Sequence, residues 1–112
     1  MKIAIPMSGN KLSQHFGHCR QFAIFEVDKE SRQVTGRDLL EPPPHEPGVL
    51  PRWLREQGVD TVIGGNMGQR ARTILKSHGI ELCMGVECRE PEELVREYLE
   101  GTLVTGAGRC HH

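Results

Sequence analysis

The 112-residue sequence contains no long apolar run, and only 4% of its residues are aromatic. A helix that crosses a bilayer needs about 20 consecutive apolar residues, so no membrane-spanning segment and no membrane partner are expected. The first residues, Met1 to Pro6, have the character of a strand and lack the features of a signal or transit peptide. The sequence therefore predicts a cytoplasmic protein.

Neither sign of charge is in excess. The chain has 14 basic and 15 acidic residues and a formal net charge of −1. Proteins that bind nucleic acid carry a marked basic surplus or stripe, which this balance does not provide. No nucleic-acid partner is expected, and any binding of anions must depend on local structure.

The cysteines lack the C-x-x-C spacing that many metal and redox sites use. In a cytosolic chain, cysteines are expected to be reduced thiols or metal ligands and not a disulfide framework. The chain has four cysteines and six histidines. Two groups of these residues are candidate metal ligands. They are His15, His18 and Cys19 near the start, and Cys110 near the end, followed by a His-His pair that is either native or the remnant of a tag.

The length suits one domain, residues 1–112, of which 102–112 could form a flexible tail. Hydrophobic periodicity and turn residues predict the element order β-β-β-α-β-α-β-α. The predicted strands cover residues 2–6, 22–27, 33–40, 60–63 and 80–84, with a further short strand possible at 102–105, and the helices start near residues 50, 67 and 91. Residues 11–20 are predicted to be a loop.

The connections of these elements predict a three-layer α/β fold. Right-handed crossovers place the fourth strand beside the first, on the side away from the hairpin. The result is a mixed five-stranded sheet of order 3-2-1-4-5 with the second strand antiparallel, a motif that resembles the ribonuclease H-like fold. Nucleases of that fold bind magnesium through carboxylates on their strands, and the first strand here has none, so nuclease activity is not expected.

Segments that follow the first, fourth and fifth strands are predicted to meet at one edge of the sheet. The chain leaves the first and fourth strands in opposite directions, and open α/β sheets bind ligands in the crevice at such a point. The segment after the fourth strand is Gly64-Gly65-Asn66-Met67-Gly68-Gln69-Arg70-Ala71. Glycines ahead of a helix start, with a guanidinium in the first turn, can form an anion site. The alternative is a plain strand-to-helix turn.

The candidate ligands leave two further alternatives open. His15, His18 and Cys19 could hold zinc with Cys110, although their spacing matches no standard zinc module. Cys19 could pair with His15 or His18 as a nucleophile, but no third group is identified that would orient the pair. Thiolates and imidazoles beside a helix start suit a soft, anionic, metal-containing ligand better than a hard cation. The sequence thus predicts a binding protein and not an enzyme.

Four stretches of the sequence resemble those of the dinitrogenase iron-molybdenum cofactor biosynthesis family. The stretches are His15-Phe16-Gly17, Phe22 at the start of the second strand, Gly64-Gly65-x-Met67-Gly68-x-Arg70-Ala71, and Leu99-x-Gly101-Thr102-Leu103-Val104-Thr105-Gly106. The family includes NifX, NafY and the carboxyl-terminal part of NifB, together with small stand-alone proteins of anaerobes such as the orange protein. The likeness covers nearly the whole chain and implies the same fold and strand order.

The resemblance also implies a function and a site. Members bind or carry iron-sulfur or molybdenum-containing clusters, so the implied cofactor is a metal-sulfur cluster of the Fe-S, Mo-Fe-S or Mo-Cu-S type. The implied partners are cluster donor and acceptor proteins, and the expected state is a monomer or weak homodimer. The predicted cluster-binding residues are Ser8, Gly9, Asn10, Phe16, Gly17, Gly64, Gly65, Asn66, Met67, Gly68, Gln69 and Arg70, with His15, His18, Cys19 and Cys110 as metal ligands. A metal-free interaction module and a simple zinc or iron chaperone remain alternatives.

Overall fold

The computed structural model describes residues 1–9, 11–12, 21–28, 30–42, 49–65, 69–86, 89–105 and 108–109. Within these residues the chain forms eight strands and three helices. They are β1 (Lys2–Ser8), β2 (Lys11–Leu12), β3 (Gln21–Asp28), β4 (Gln33–Leu40), α1 (Val49–Glu56), β5 (Thr61–Ile63), α2 (Gln69–Ser77), β6 (Glu81–Cys83), α3 (Pro91–Glu100), β7 (Val104–Thr105) and β8 (Gly108–Arg109).

The main sheet has the order β4-β3-β1-β5-β6. Strand β1 pairs antiparallel with β3, so that Ile3 lies opposite Phe25, and parallel with β5, where Ile3 lies opposite Thr61. Strand β6 continues the parallel half, with Ile63 opposite Cys83. The predicted five-strand order, with its second strand antiparallel, is therefore confirmed.

Helices cover both faces of the sheet, which confirms the three predicted layers. On one face, Ile3 and Ile5 of β1 pack in one core with Leu94 and Tyr98 of α3. On the other face, a second core joins Ala4 of β1 to apolar residues of α1 and α2, including Leu54 and Leu75. Among the residues described, no helix is long and apolar enough to cross a membrane.

The chain turns back directly after β1 and forms a short strand where the sequence predicted a loop. Lys11 and Leu12, expected in a loop, form β2 and pair antiparallel with the end of β1. Gly9 has a φ of 67°, a left-handed conformation that glycine adopts without a steric penalty. The turn brings Leu12 into the core beside Met7, where it is 2% exposed. Burial of the Leu12 side chain explains why Lys11 and Leu12 form a strand although the neighbouring residues are polar.

The end of the chain also contains more regular structure than expected. The short strand predicted at 102–105 is present as β7, and it pairs antiparallel with β8 in a separate two-stranded sheet. Leu103, just before β7, is fully buried in the core that contains α3. That contact fixes the start of the terminal segment against the body of the domain.

Arg89 joins the β2 hairpin to helix α3. Its backbone carbonyl accepts a hydrogen bond from the Leu12 N–H at 3.0 Å. Its guanidinium donates to both carboxylate oxygens of Glu97, at 2.6 and 2.7 Å. The hydrogen bonds from Arg89 lower the pKa of Glu97 below its ordinary value and outweigh the opposing effect of desolvation. Such two-point, charge-assisted pairs fix geometry as well as adding stability.

We expect Glu97→Gln to lower the free energy of unfolding by about 1 kcal/mol at neutral pH, because it removes a charge-assisted pair that is partly exposed. The folded-state pKa of Glu97 is lowered, so its contribution is full above the unfolded value of 4.5 and is lost as the pH falls through the lower folded value. Urea denaturation at several pH values measures this difference. Glu100→Gln, at an exposed position of the same helix, is the control, and an equal loss in both variants would contradict the assignment.

Candidate functional site

The carboxyl ends of β1, β5 and β6 lie at one edge of the sheet, which we call the upper edge. It comprises Ser8 at the end of β1 and Gly9 after it, Gly64 and Gly65 after β5, residues 84–86 after β6, and the first turn of α2. Strands β1 and β5 are parallel neighbours, and the chain continues from them toward opposite sides of the sheet. This is the arrangement at which open α/β sheets form a ligand crevice.

Backbone hydrogen bonds fix the two glycines to the segment after β6. The Gly64 N–H donates to the Cys83 carbonyl at 2.9 Å, and the Gly64 carbonyl accepts from the Val86 N–H at 3.2 Å. The Gly65 carbonyl accepts from the Gly85 N–H at 2.8 Å. The amide of Gly64 is thus already used within the fold. An anion at this edge would have to bind to groups closer to the start of α2.

Packing inside the chain accounts for the glycine at position 64. A Cβ placed on Gly64 would lie 3.0 Å from Cε of Met84 and 4.0 Å from Cγ of Pro6. The sequence interpretation was that a missing Cβ lets an anion approach the backbone. The terminal methyl group of Met84 lies in that direction instead, so packing within the chain restricts the space at position 64.

The start of α2 is positively charged. The helix contains Arg70, Arg72 and Lys76 and no acidic residue, whereas the first turn of α3 carries Glu92 and Glu93. The positive end of a helix dipole favours negative charge. The first turn of α2 carries two arginines instead, so no side chain of the helix offsets the positive charge at this end. An anionic ligand would supply this compensation.

Arg72 is a residue that sequence reasoning missed. Arg70, the predicted anion ligand, is exposed, whereas Arg72 is half-buried. The Nε atom of Arg72 is buried and has no hydrogen-bond partner among the described residues. A signal was available in the sequence, because Arg72 precedes the buried Leu75 by three residues and therefore lies near the apolar face of the helix.

The structure places six of the predicted cluster-binding residues at the upper edge. They are Ser8, Gly9, Gly64, Gly65, Gln69 and Arg70. The other six, Asn10, Phe16, Gly17, Asn66, Met67 and Gly68, lie outside the described residues, as do the predicted metal ligands His15, His18, Cys19 and Cys110. Within the described part of the chain, no group of three or more His, Cys, Asp or Glu residues could hold a metal.

Cys83 corrects one expectation from the sequence. The four cysteines were expected to be thiols or metal ligands, but Cys83, which is 1% exposed at the end of β6, is disulfide-bonded. The other three cysteines, Cys19, Cys88 and Cys110, lie outside the described residues. Pairing of cysteines depends on their distance in the fold, which spacing in the sequence does not reveal. The disulfide leaves at most two cysteines as thiolate ligands.

The fold is an open, mixed α/β sheet whose crevice lies beside a basic helix start. Residues 1–101 match the family model described as dinitrogenase iron-molybdenum cofactor. The chain therefore belongs to this family, as its sequence resemblance indicated.

Relatives of similar length support the assignment. An uncharacterized protein of Methanocaldococcus jannaschii is 32% identical over 108 residues, which cover 92% of this chain and 89% of the relative. The crystal structure of the protein PH0822 superposes with a TM-score of 0.85 at 28% identity, covering 95% of both chains. The apo form of the orange protein from Desulfovibrio gigas has the same fold, with a TM-score of 0.72, 20% identity, and coverage of 98% of this chain and 96% of that one.

We expect Gly64→Ala to lower the free energy of unfolding by about 1 kcal/mol, because the added methyl group displaces Met84. In the double variant Gly64→Ala with Met84→Ala the two losses should not add, since the second change removes the clash. Chemical denaturation of the single and double variants measures the coupling. Gly36→Ala is the control, because a Cβ there meets Glu26 at an ordinary 3.6 Å. Strict additivity would show that Met84 does not restrict position 64.

The disulfide at Cys83 predicts the number of reactive thiols. Exposed thiols are alkylated during lysis, and the protein is then denatured without reductant. At that point it should contain no more than two cysteines that are not in a disulfide. After treatment with a dithiol reductant, all four should react. Mass spectrometry after differential alkylation gives both numbers. Four unbridged cysteines before reduction would show that Cys83 is a free thiol.

Proposed function

We propose that the protein binds an anionic metal-sulfur cluster at the upper edge and carries or stores it between a donor and an acceptor protein. The observation that supports this most directly is the start of α2, where two arginines stand at the positive end of a helix that has no acidic residue. Membership of a family described by the iron-molybdenum cofactor supports a metal-sulfur cluster as the anion. The description of one structural neighbour as an apo form is consistent with a bound group in that protein.

The residues at this edge fit such a ligand. Metal-sulfur clusters carry net negative charge, which the helix dipole and the guanidinium groups of α2 would stabilise. Direct bonds to the metal would come from His15, His18, Cys19 or Cys110. Their thiolate and imidazole groups suit iron, copper and molybdenum better than hard cations, which prefer oxygen ligands.

The proposed role requires binding and release but no turnover, so we regard the protein as non-enzymatic. We further propose that it is a cytoplasmic protein of an anaerobic organism and acts as a monomer or weak homodimer. Its partners would be the proteins that deliver and receive the cluster, and neither nucleic acid nor membrane is involved. An open edge of a sheet suits this role, because a partner protein can approach a ligand that lies there.

We expect near-stoichiometric metal and sulfide after anaerobic reconstitution with iron and sulfide or, separately, with tetrathiomolybdate and copper. Absorption spectra should show sulfide-to-metal charge-transfer bands on the desalted protein. His15→Ala and Cys19→Ala should each lower the retained metal by removing a ligand. His78→Ala changes a histidine near the opposite end of α2, so it should leave the metal content unchanged.

Other outcomes identify other functions. If no metal or sulfide is retained in any condition, the cluster carrier is wrong and a metal-free interaction module is favoured. If zinc or iron is retained without sulfide, the protein is a simple metal chaperone. If His78→Ala reduces retention as much as His15→Ala does, the loss reflects general instability and the assigned ligands are wrong.

A further inference from the structure

Strand β4 lies at one edge of the main sheet. It pairs with β3 on one side, and within the described part of the chain no strand pairs with its other side. Most of its residues are exposed, including the apolar Leu39, which is 50% exposed. An exposed edge presents backbone N–H and C=O groups that can pair with a further strand.

The pairing of β3 with β1 shows which backbone groups of β4 point outward. Val27 of β3 and Met1 exchange two hydrogen bonds, at 2.8 Å from the Val27 N–H and 3.1 Å from the Met1 amine. The direction of these groups alternates along a strand, so Ile24 directs its groups the other way, toward β4, where it lies opposite Asp38. The groups of Asp38 are therefore used within the sheet, and those of Arg37 and Leu39 point outward.

Only a short part of this edge can continue the sheet regularly. The register of β3 and β4 shifts at Thr35, which is the extra residue of a β-bulge. Beyond β4, three prolines at positions 42–44 provide no N–H for pairing. Glu41 precedes the first of them, and a residue before proline favours extended geometry. Residues 37–41, which we call the edge segment, remain available, and Leu39 is their midpoint.

We infer that the edge segment pairs antiparallel with the edge segment of a second copy of the chain, which forms a two-fold dimer with one continuous sheet. This inference does not rest on the proposed function. A two-fold axis at Leu39 places this exposed side chain opposite its own copy. It also places Arg37 opposite Glu41 of the second copy, twice by symmetry. Residues directly opposite each other in an antiparallel pair lie on one face of the sheet, so opposite charges meet there.

Charge complementarity favours this register and a second copy as the occupant. An axis at Asp38 would place two carboxylates opposite each other, and an axis at Arg37 would place two guanidinium groups opposite each other, both of which destabilise a sheet. An axis at Leu40 would place Leu39 opposite Glu41 and leave the arginine without a carboxylate across the interface. The edge segment is thus complementary to itself when it pairs about its own midpoint.

The ion pair that Arg37 already makes is compatible with this contact. Its guanidinium pairs with Glu92 of the same chain, and the side chain is 44% exposed. A guanidinium has five N–H donors, so it can bind a second carboxylate at its exposed side. The pair with Glu92 also holds the arginine in place before the second copy binds, which lowers the entropy lost on association.

The dimer would leave both upper edges accessible. Strands β4 and β1 are parallel, because both are antiparallel to β3, and β3 separates β4 from β1. A two-fold axis perpendicular to the sheet reverses the second copy, so the two upper edges face in opposite directions. Each copy keeps its own crevice, and the dimer does not form a shared site.

The test is sedimentation velocity of the full chain from about 10 µM to about 1 mM, because a small interface is weak. We expect dimers of the wild type that increase with concentration. Leu39→Lys brings two like charges to the axis, and Glu41→Arg places an arginine opposite Arg37, so each should weaken dimerisation about tenfold or more. Val34→Lys, at the other exposed apolar side chain of β4 but beyond the bulge, and Glu30→Arg, in the preceding turn, are the controls and should change it less than about twofold.

Hydrogen exchange measured by NMR tests the pairing itself. In wild-type protein, the amides of Leu39 and Glu41 should exchange more slowly in concentrated than in dilute samples, because the second copy accepts their hydrogen bonds. The amide of Asp38, which is bonded within the sheet, should exchange at the same rate in both. Concentration-independent exchange at Leu39 in a protein that dimerises would place the interface elsewhere.

Several results would overturn the inference. A wild type that stays monomeric at every concentration excludes the second copy and leaves the edge to a strand of another protein. If Val34→Lys weakens the dimer as much as Leu39→Lys does, the register is wrong. Melting temperatures identify any variant that fails to fold. If Leu39→Lys is one of them, Glu41→Arg decides the outcome, and unchanged dimerisation in that variant contradicts the pairing with Arg37.

Discussion

The architecture and the candidate site both depend on strand β1. It is hydrogen-bonded to one strand on each side, and these two neighbouring strands run in opposite directions. It pairs antiparallel with β3 and parallel with β5. Its alternate residues enter separate cores, with Ile3 and Ile5 facing α3 and Ala4 facing the other two helices. A strand buried on both faces must be central. The crevice at its carboxyl end follows from the change of direction of the chain on either side of it.

The upper edge combines a rigid support with a charged helix start. Three backbone hydrogen bonds hold Gly64 and Gly65 against the end of β6 and the segment after it, and the absence of a Cβ on Gly64 leaves room for Met84 there. The basic first turn of α2 follows directly along the chain. Rigid placement lowers the entropy that a binding site loses when it takes up a ligand. The proposed carrier would also have to release its cargo, and electrostatic attraction at an open edge is compatible with exchange between proteins.

Much of the fold could be predicted from the sequence because it depends on long-range rules. The handedness of crossovers and the two-sided apolar character of the central strands were sufficient for the strand order. Local features were harder to predict. The two-residue strand β2 exists because Leu12 is buried beside Met7, and neither residue shows this contact in its immediate sequence. Strand β8 likewise depends on pairing with β7, in a segment whose glycines indicated only a tail.

The sequence predicted a candidate site at the upper edge, and that site stays a prediction. Glycines after β5 and an arginine in the first turn of α2 correctly located a charged helix start at the upper edge. The sequence pattern could not rank Arg70 against Arg72, because the exposure of each side chain depends on how the helix is rotated against the sheet. It also could not show that Cys83 is disulfide-bonded, since pairing is a property of distances in three dimensions.

The measurement that tests the central claim most directly is the position of the bound anion, mapped by amide chemical shifts of ¹⁵N-labelled protein during an anaerobic titration with tetrathiomolybdate. The account predicts saturable shifts concentrated at Ser8, Gly9, Gly65 and residues 69–72, with little change at the opposite edge, around Arg32 and Gly58. Shifts concentrated at that opposite edge, or weak changes spread over all exposed basic residues, would contradict a cluster site at the upper edge.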